Sequence, residues 1–111
     1  MKGSKKVIDG LNALLANELA AIDQYFIHSR MYEDWGLSKL YDRLNHEMEE
    51  ETQHSDWLIK RILFLEGVPC MTKRRDLLIG SDVHSMMSND LTLELEVVRC
   101  VRDVIAICES E

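Results

Sequence analysis

The chain has 111 residues, 46% hydrophobic and 30% charged, which fits one soluble globular domain rather than a disordered segment. Twenty acidic against thirteen basic residues give a net charge of −7, the wrong sign for a general binder of nucleic-acid phosphates and the right one for a surface that attracts cations. Five Gly and one Pro are too few for a many-stranded β-fold with frequent tight turns, so an all-α chain of a few long helices is expected.

The first helical pattern runs from about Lys5 to Asp34 and stops at Trp35-Gly36-Leu37, with Gly36 as the breaker. A second starts after Ser38, read as its cap, and covers about 39–66, where Gly67 and Pro69 end it. A short turn makes antiparallel neighbours, so these two should form a hairpin. The connection from Gly67 to Gly80 is longer than the roughly 2–8 residues usual between helices. It suits a crossover along the length of a bundle. Its basic cluster, Lys73, Arg74 and Arg75, reads as a solvated loop. A third helix is expected from a cap at Ser81-Asp82 over about 82–111. The three make a single domain over 1–111, and a three-helix bundle with a crossover asks for a fourth helix from elsewhere.

No apolar run approaches the roughly 18–20 residues of a membrane span, and no signal-peptide stretch follows the first residues. A cytoplasmic protein without membrane or nucleic-acid partners is expected. Cys70, Cys100 and Cys108 form no zinc spacing and are odd in number, which argues for packing or surface thiols rather than disulfides.

Apolar periodicity then exposes carboxylates where packing asks for Leu or Val. On the first helix Ile8, Leu11, Leu15, Ile22 and Tyr25 form a stripe, and Glu18 completes it. On the second, Leu40, Leu44, Leu58, Ile62 and Leu65 leave a gap filled by Glu47, Glu51 and His54. On the third, Glu94 falls within Val83, Met87, Asp90, Val97, Val101 and Val104. Any one of these alone is consistent with a wider polar face. Converging on one core, they would repel each other and cost several kcal/mol each to bury unpaired. No Lys or Arg lies on the central stretches of the stripes, so a metal ion is the economical counter-charge. Glu51 and His54 sit at i, i+3, on one side of a helix, and carboxylate oxygen with imidazole nitrogen suits Fe, Mn or Zn rather than Ca or Mg.

The segments Leu14-Leu15-Ala16-Asn17-Glu18-Leu19, Ala21-Ile22-Asp23-Gln24-Tyr25-Phe26, His28, Arg30-Met31-Tyr32 and Trp35-Gly36-Leu37 are similar to the first helix and turn of bacterioferritin. So are His46-Glu47, Glu51, His54, Arg61 through Gly67, Ile79-Gly80 and Asp90-Leu91-Thr92-Leu93-Glu94. The resemblance covers nearly the whole chain. It implies a ferritin-like four-helix bundle, of which this chain carries the first three helices and the long crossover. The implied function is an iron-storage subunit that oxidises Fe(II) with oxygen at a di-iron centre and passes the product to a mineral core. The resemblance makes Glu18 the terminal carboxylate of the first iron, Glu51 the bridge, His54 the imidazole on the first iron and Glu94 the terminal carboxylate of the second. It places inner-surface iron at His46 and Glu50, and an electron donor at Tyr25. Implied partners are Fe(II), oxygen and further bacterioferritin subunits, in a two-fold dimer and a twenty-four-subunit cage.

Two departures from the family follow. The family takes a second Glu and a second His from a fourth helix, beyond the three read here. At Thr52 haem-binding members have Met, and Thr cannot act as an axial ligand; the resemblance therefore implies no haem b ligand here, and a haem-binding paralogue as a further partner. The alternatives are a non-catalytic structural subunit or truncated product with an incomplete ferroxidase site, and a metal-free helical adaptor with solvated Glu stripes.

Overall fold

Ser4 starts the first helix: its Oγ accepts the Val7 N–H at 3.2 Å, supplying a partner for one of the four N–H groups a helix leaves free. In the computed structural model, which describes residues 1–111, this helix, α1, spans Lys5–Asp34; α2 spans Ser38–Phe64 and α3 Val83–Ser110, with no strand. Gly36, at φ +76°, closes α1. Its N–H donates to Glu33 O and that of Leu37 to Tyr32 O, the paired bonds of a Schellman motif.

Two boundary expectations are corrected. Ser38 is the first residue of α2 rather than its cap; Leu37 holds the cap position with no side-chain hydrogen bond. The tight Schellman turn before it leaves no room for a separate capping residue. At the other end Glu66, not Gly67, takes the left-handed conformation at φ 63°. The Glu66 N–H donates to Leu63 O and the Gly67 N–H to Ile62 O, so α2 ends two residues before the expected 66. The start of α3 is as read: Asp82 accepts the Ser85 N–H and Ser85 returns the bond to the Asp82 backbone, a capping box.

Helix α1 is the centre of the structure. It packs against both α2 and α3, whereas α2 and α3 make no close backbone approach to one another. Pairs fix the directions. Gly3 N–H reaches Leu65 O and Arg30 reaches Asn45, so α1 and α2 are antiparallel. Gly10 lies against Val104 and Ile107 while Tyr25 meets Glu94, so α3 is antiparallel to α1 as well. The core runs along α1 from Leu11, Leu15 and Leu19 to Tyr25, closed by Ile62 and Leu65 on one side and by Leu93, Val97 and Val104 on the other. Ile8, Ile22, Leu44, Leu58 and Val101 are partly buried against it. On α3 the stripe is shifted: Met86 is fully buried and Met87 is 50% exposed, because the only face covered is the narrow one toward α1.

The helices occupy three corners of a four-cornered bundle. At the fourth lies a cleft of about 760 Å³, floored by Leu11, Leu14 and Val101, walled by Leu58 and Phe64, with Glu18 and His54 opening into it.

The long connection runs beside α1, as a crossover must. Asn12 Nδ2 donates to Val68 O at 3.1 Å and its Oδ1 accepts the Cys70 N–H at 2.8 Å. Further along, Arg74 Nε donates to Asp23 at 3.2 Å, Gln24 Oε1 accepts the Leu78 N–H at 2.9 Å and His28 Nε2 accepts the Gly80 N–H at 3.1 Å. From position 12 to 28 an α-helix rises about 24 Å, so the crossover is strapped along half of α1. Two of the three basic residues expected in a solvated loop are engaged: Arg74 with Asp23, and Arg75 in an ion pair with Glu96. The three cysteines are free thiols.

Candidate metal centre

Glu18 sits mid-way along α1 among Leu14, Leu15 and Ala21, and the stripe that buries those residues buries it too: it is 4% exposed. Across from it α2 presents Glu51, 6% exposed, and one turn later His54. His54 Nδ1 lies 3.5 Å from Glu18 Oε2 and 3.4 Å from Glu51 Oε2. One ligand atom from each of the three residues falls within 4.8 Å of the others. Trp57, three residues on, covers one face of the His54 ring at 5.7 Å between centroids.

The same two oxygens, Glu18 Oε2 and Glu51 Oε2, are buried and have no hydrogen-bond partner. No Lys or Arg pairs with either carboxylate. The imidazole is too distant for a charge-assisted hydrogen bond, which closes to about 2.7–2.9 Å. Separations of 3.4–3.5 Å suit a different arrangement: ligands about 2.0–2.2 Å from one cation lie about 3.0–3.5 Å from each other. The donor set, two carboxylate oxygens and one imidazole nitrogen, therefore fits a divalent transition metal shared among them.

Glu94 stands at the edge of this group. It is half-buried on α3, and its Oε1 accepts the Tyr25 hydroxyl, so it is not one of the three gathered residues. Its charge still reaches Glu51: burial, then Glu94, push the Glu51 carboxyl above its ordinary value, and His54 pulls it back in part. Burial and the Glu94 carboxylate drive the Tyr25 phenol far upward, so it stays protonated as a donor.

The remaining residues read from the sequence lie apart. His46 Nε2 and Glu50 Oε1 pair at 2.9 Å, both more than half exposed. Glu47 pairs with Arg43 at 2.7 Å, which makes it a rim residue. Thr52 is exposed and donates its hydroxyl to Met48 O. Periodicity alone did not mark Trp57; its i, i+3 spacing from His54 was the available signal.

The ferritin-like domain family matches residues 8–111. This chain belongs to the ferritin-like family. Within it, the chain is 61% identical over 110 residues to a protein named bacterial ferritin from Pseudomonas aeruginosa, covering 99% of this chain and 71% of that one. A bacterial ferritin of Paramagnetospirillum magnetotacticum is 58% identical over 110 residues, covering 99% and 67%. A bacterioferritin of Rhodobacter capsulatus is 44% identical over 108 residues, covering 97% and 67%. The three-cornered helix arrangement is thus the ferritin-like bundle without its fourth helix. No helix is long and apolar enough to cross a membrane.

Proposed function

We propose that this chain is an iron-storage subunit of the bacterioferritin type, acting in the cytoplasm, with Fe(II) as the substrate that Glu18, Glu51, His54 and Glu94 receive. The observation that carries the reading is the pair of buried, unpartnered carboxylate oxygens facing one imidazole. A fold that buries two such oxygens loses about 1–3 kcal/mol or more for each group left unsatisfied, and a bound cation removes that loss.

In this reading Glu18 and His54 hold the first iron, Glu51 spans both and Glu94 serves the second. Burial and the Glu94 carboxylate raise the Glu51 carboxyl above its ordinary value, so cation uptake there competes with protonation. Tyr25 holds Glu94 by a hydrogen bond; an electron leaving the phenol would pass its proton to that carboxylate. Iron supplies the reducing electrons for dioxygen. The protein supplies an oxygen-rich, partly open ligand set at the mouth of an apolar cleft. The exposed His46–Glu50 pair offers a separate landing point for oxidised iron on its way to a mineral. The family resemblance adds a second bridging Glu and second His from a fourth helix, and assembly into two-fold dimers and a cage. With Thr52 in the family's haem-ligand position, haem would come from a paralogous subunit.

Stopped-flow oxidation of Fe(II) tests the reading. Glu51→Ala is expected to abolish the rapid phase, and an unchanged rapid phase would overturn the assignment. A non-catalytic subunit is the second reading, favoured by the engagement of Glu94 with Tyr25, which leaves three gathered ligands rather than four. That reading expects iron binding without a rapid oxidation phase in the unaltered chain.

A further inference from the structure

A second polar cluster is buried about one and a half turns along α1 from Glu18. Gln24 and His28 are both fully buried, one turn apart on the same face. Gln24 Nε2 and His28 Nδ1 each approach Asp90 Oδ1 at 2.9 Å. Their other ends take the last residues of the crossover: Gln24 Oε1 the Leu78 N–H and His28 Nε2 the Gly80 N–H. Since Nε2 accepts a backbone N–H, the single imidazole proton sits on Nδ1 and is donated to Asp90. Gly80 is required for this approach, because a Cβ there would lie 2.6 Å from the Met86 backbone nitrogen.

Asp90 is one turn before Glu94 on α3, and Tyr25, which holds Glu94, follows Gln24 on α1. Two donors from α1 converging on one carboxylate oxygen fix both the rotation and the axial position of α3. The two donors lie one turn apart along α1, so an axial slip of one residue, about 1.5 Å, carries Asp90 Oδ1 away from one of them and breaks the paired geometry. Apolar packing between the helices is less exacting, since side chains can repack. We propose that Gln24, His28 and Asp90 are positioning residues, which hold α3 in the register that brings Glu94 to Tyr25 and beside Glu51. The inference rests on the proposed metal-site reading only for what Glu94 then does.

The test uses the full chain with Asp90→Ala, Asp90→Asn and Gln24→Met. Asn keeps an oxygen that can accept from both donors; Ala removes it. The first readout is the Tyr25–Glu94 contact, followed by NMR through the Tyr25 ring and Glu94 carboxyl resonances. The second is Zn(II) affinity by competition, with the Co(II) visible spectrum as a report on ligand geometry. Asp90→Ala is expected to lose the contact, weaken Zn(II) binding by about tenfold or more and shift the Co(II) bands, and Asp90→Asn to restore all three. A contact, affinity and spectrum unchanged in Asp90→Ala would overturn the proposal. If that variant does not fold, Gln24→Met, which removes one donor of the two, decides it by the same criteria. A wild-type chain that takes up no Zn(II) would remove the metal-site reading, and the NMR contact would still decide the positioning claim.

Discussion

Helix α1 buries two polar clusters, and they are finished differently. Around Asp90, Gln24 and His28 spend every side-chain nitrogen and oxygen on a partner within 2.9–3.1 Å. Around Glu18, two carboxylates and an imidazole come together and leave Glu18 Oε2 and Glu51 Oε2 with nothing to accept from. Both are flanked by the same Leu- and Ala-rich stripe, so burial alone does not distinguish them. The difference is whether the fold meets its own polar needs. Where it does, the cluster fixes structure; where it does not, a ligand is expected.

The largest effect should come from damage to the self-sufficient cluster. His28→Leu leaves the Gly80 N–H unpaired and removes one of the two donors to Asp90. It is expected to cost about 3–5 kcal/mol in urea unfolding. A loss below about 1 kcal/mol would erase the contrast. The matching change in the other cluster should have the opposite sign. Glu51→Gln removes a buried charge next to Glu18 and Glu94, so the metal-free chain is expected to gain about 1–2 kcal/mol while losing the stabilisation that Zn(II) gives the wild type.

The two clusters also differ in their response to pH. Burial and Glu94 raise the Glu51 carboxyl, so the folded chain holds that proton more tightly than the unfolded one. The contribution is fully present below the ordinary carboxylate range and is lost as pH rises through the raised folded value. Metal-free stability, measured as wild type minus Glu51→Gln, should therefore fall as pH rises through that window. Saturating Zn(II) should cancel or reverse the fall, because the ion replaces the proton. The smallest effect belongs outside both clusters. Asp82→Ala removes the α3 cap and should lower the melting temperature by about 4–8 °C, leaving Zn(II) affinity unchanged. The Ser85 N–H holds the Asp82 carboxyl below its ordinary value, so this benefit is present above the ordinary carboxylate range and disappears as pH falls through the depressed folded value.

Much of this was legible in the residues, and for physical reasons. Helical period and scarce breakers marked three helices, and Gly36 and Asp82 marked two of their ends, since a left-handed residue and an N-cap have narrow chemical requirements. Glu18, Glu51 and His54 stood out because each occupies a position the stripe reserves for an apolar side chain. The end of α2 departs from its sequence pattern because Glu66 adopts a conformation usually left to Gly, with the hydrogen bonds of the turn outweighing its strain. Met86 rather than Met87 is buried, because one covered face admits a stripe one residue out of phase. The straps at Asn12, Gln24 and His28 could not be assigned, because their partners are backbone groups of a distant crossover that no local pattern reveals. The engagement of Glu94 by Tyr25 depends on the relative rotation of α1 and α3, which is likewise a tertiary property.

In the proposed reading the Glu18–Glu51–His54 cluster is built for a cation. Anaerobic titration of the full chain with Fe(II), side by side with Glu18→Gln/Glu51→Gln, decides whether it is. Saturable uptake of at least one ion per chain that disappears in the double variant is the predicted result. No saturable uptake by the wild type, or equal uptake by both proteins, would contradict it.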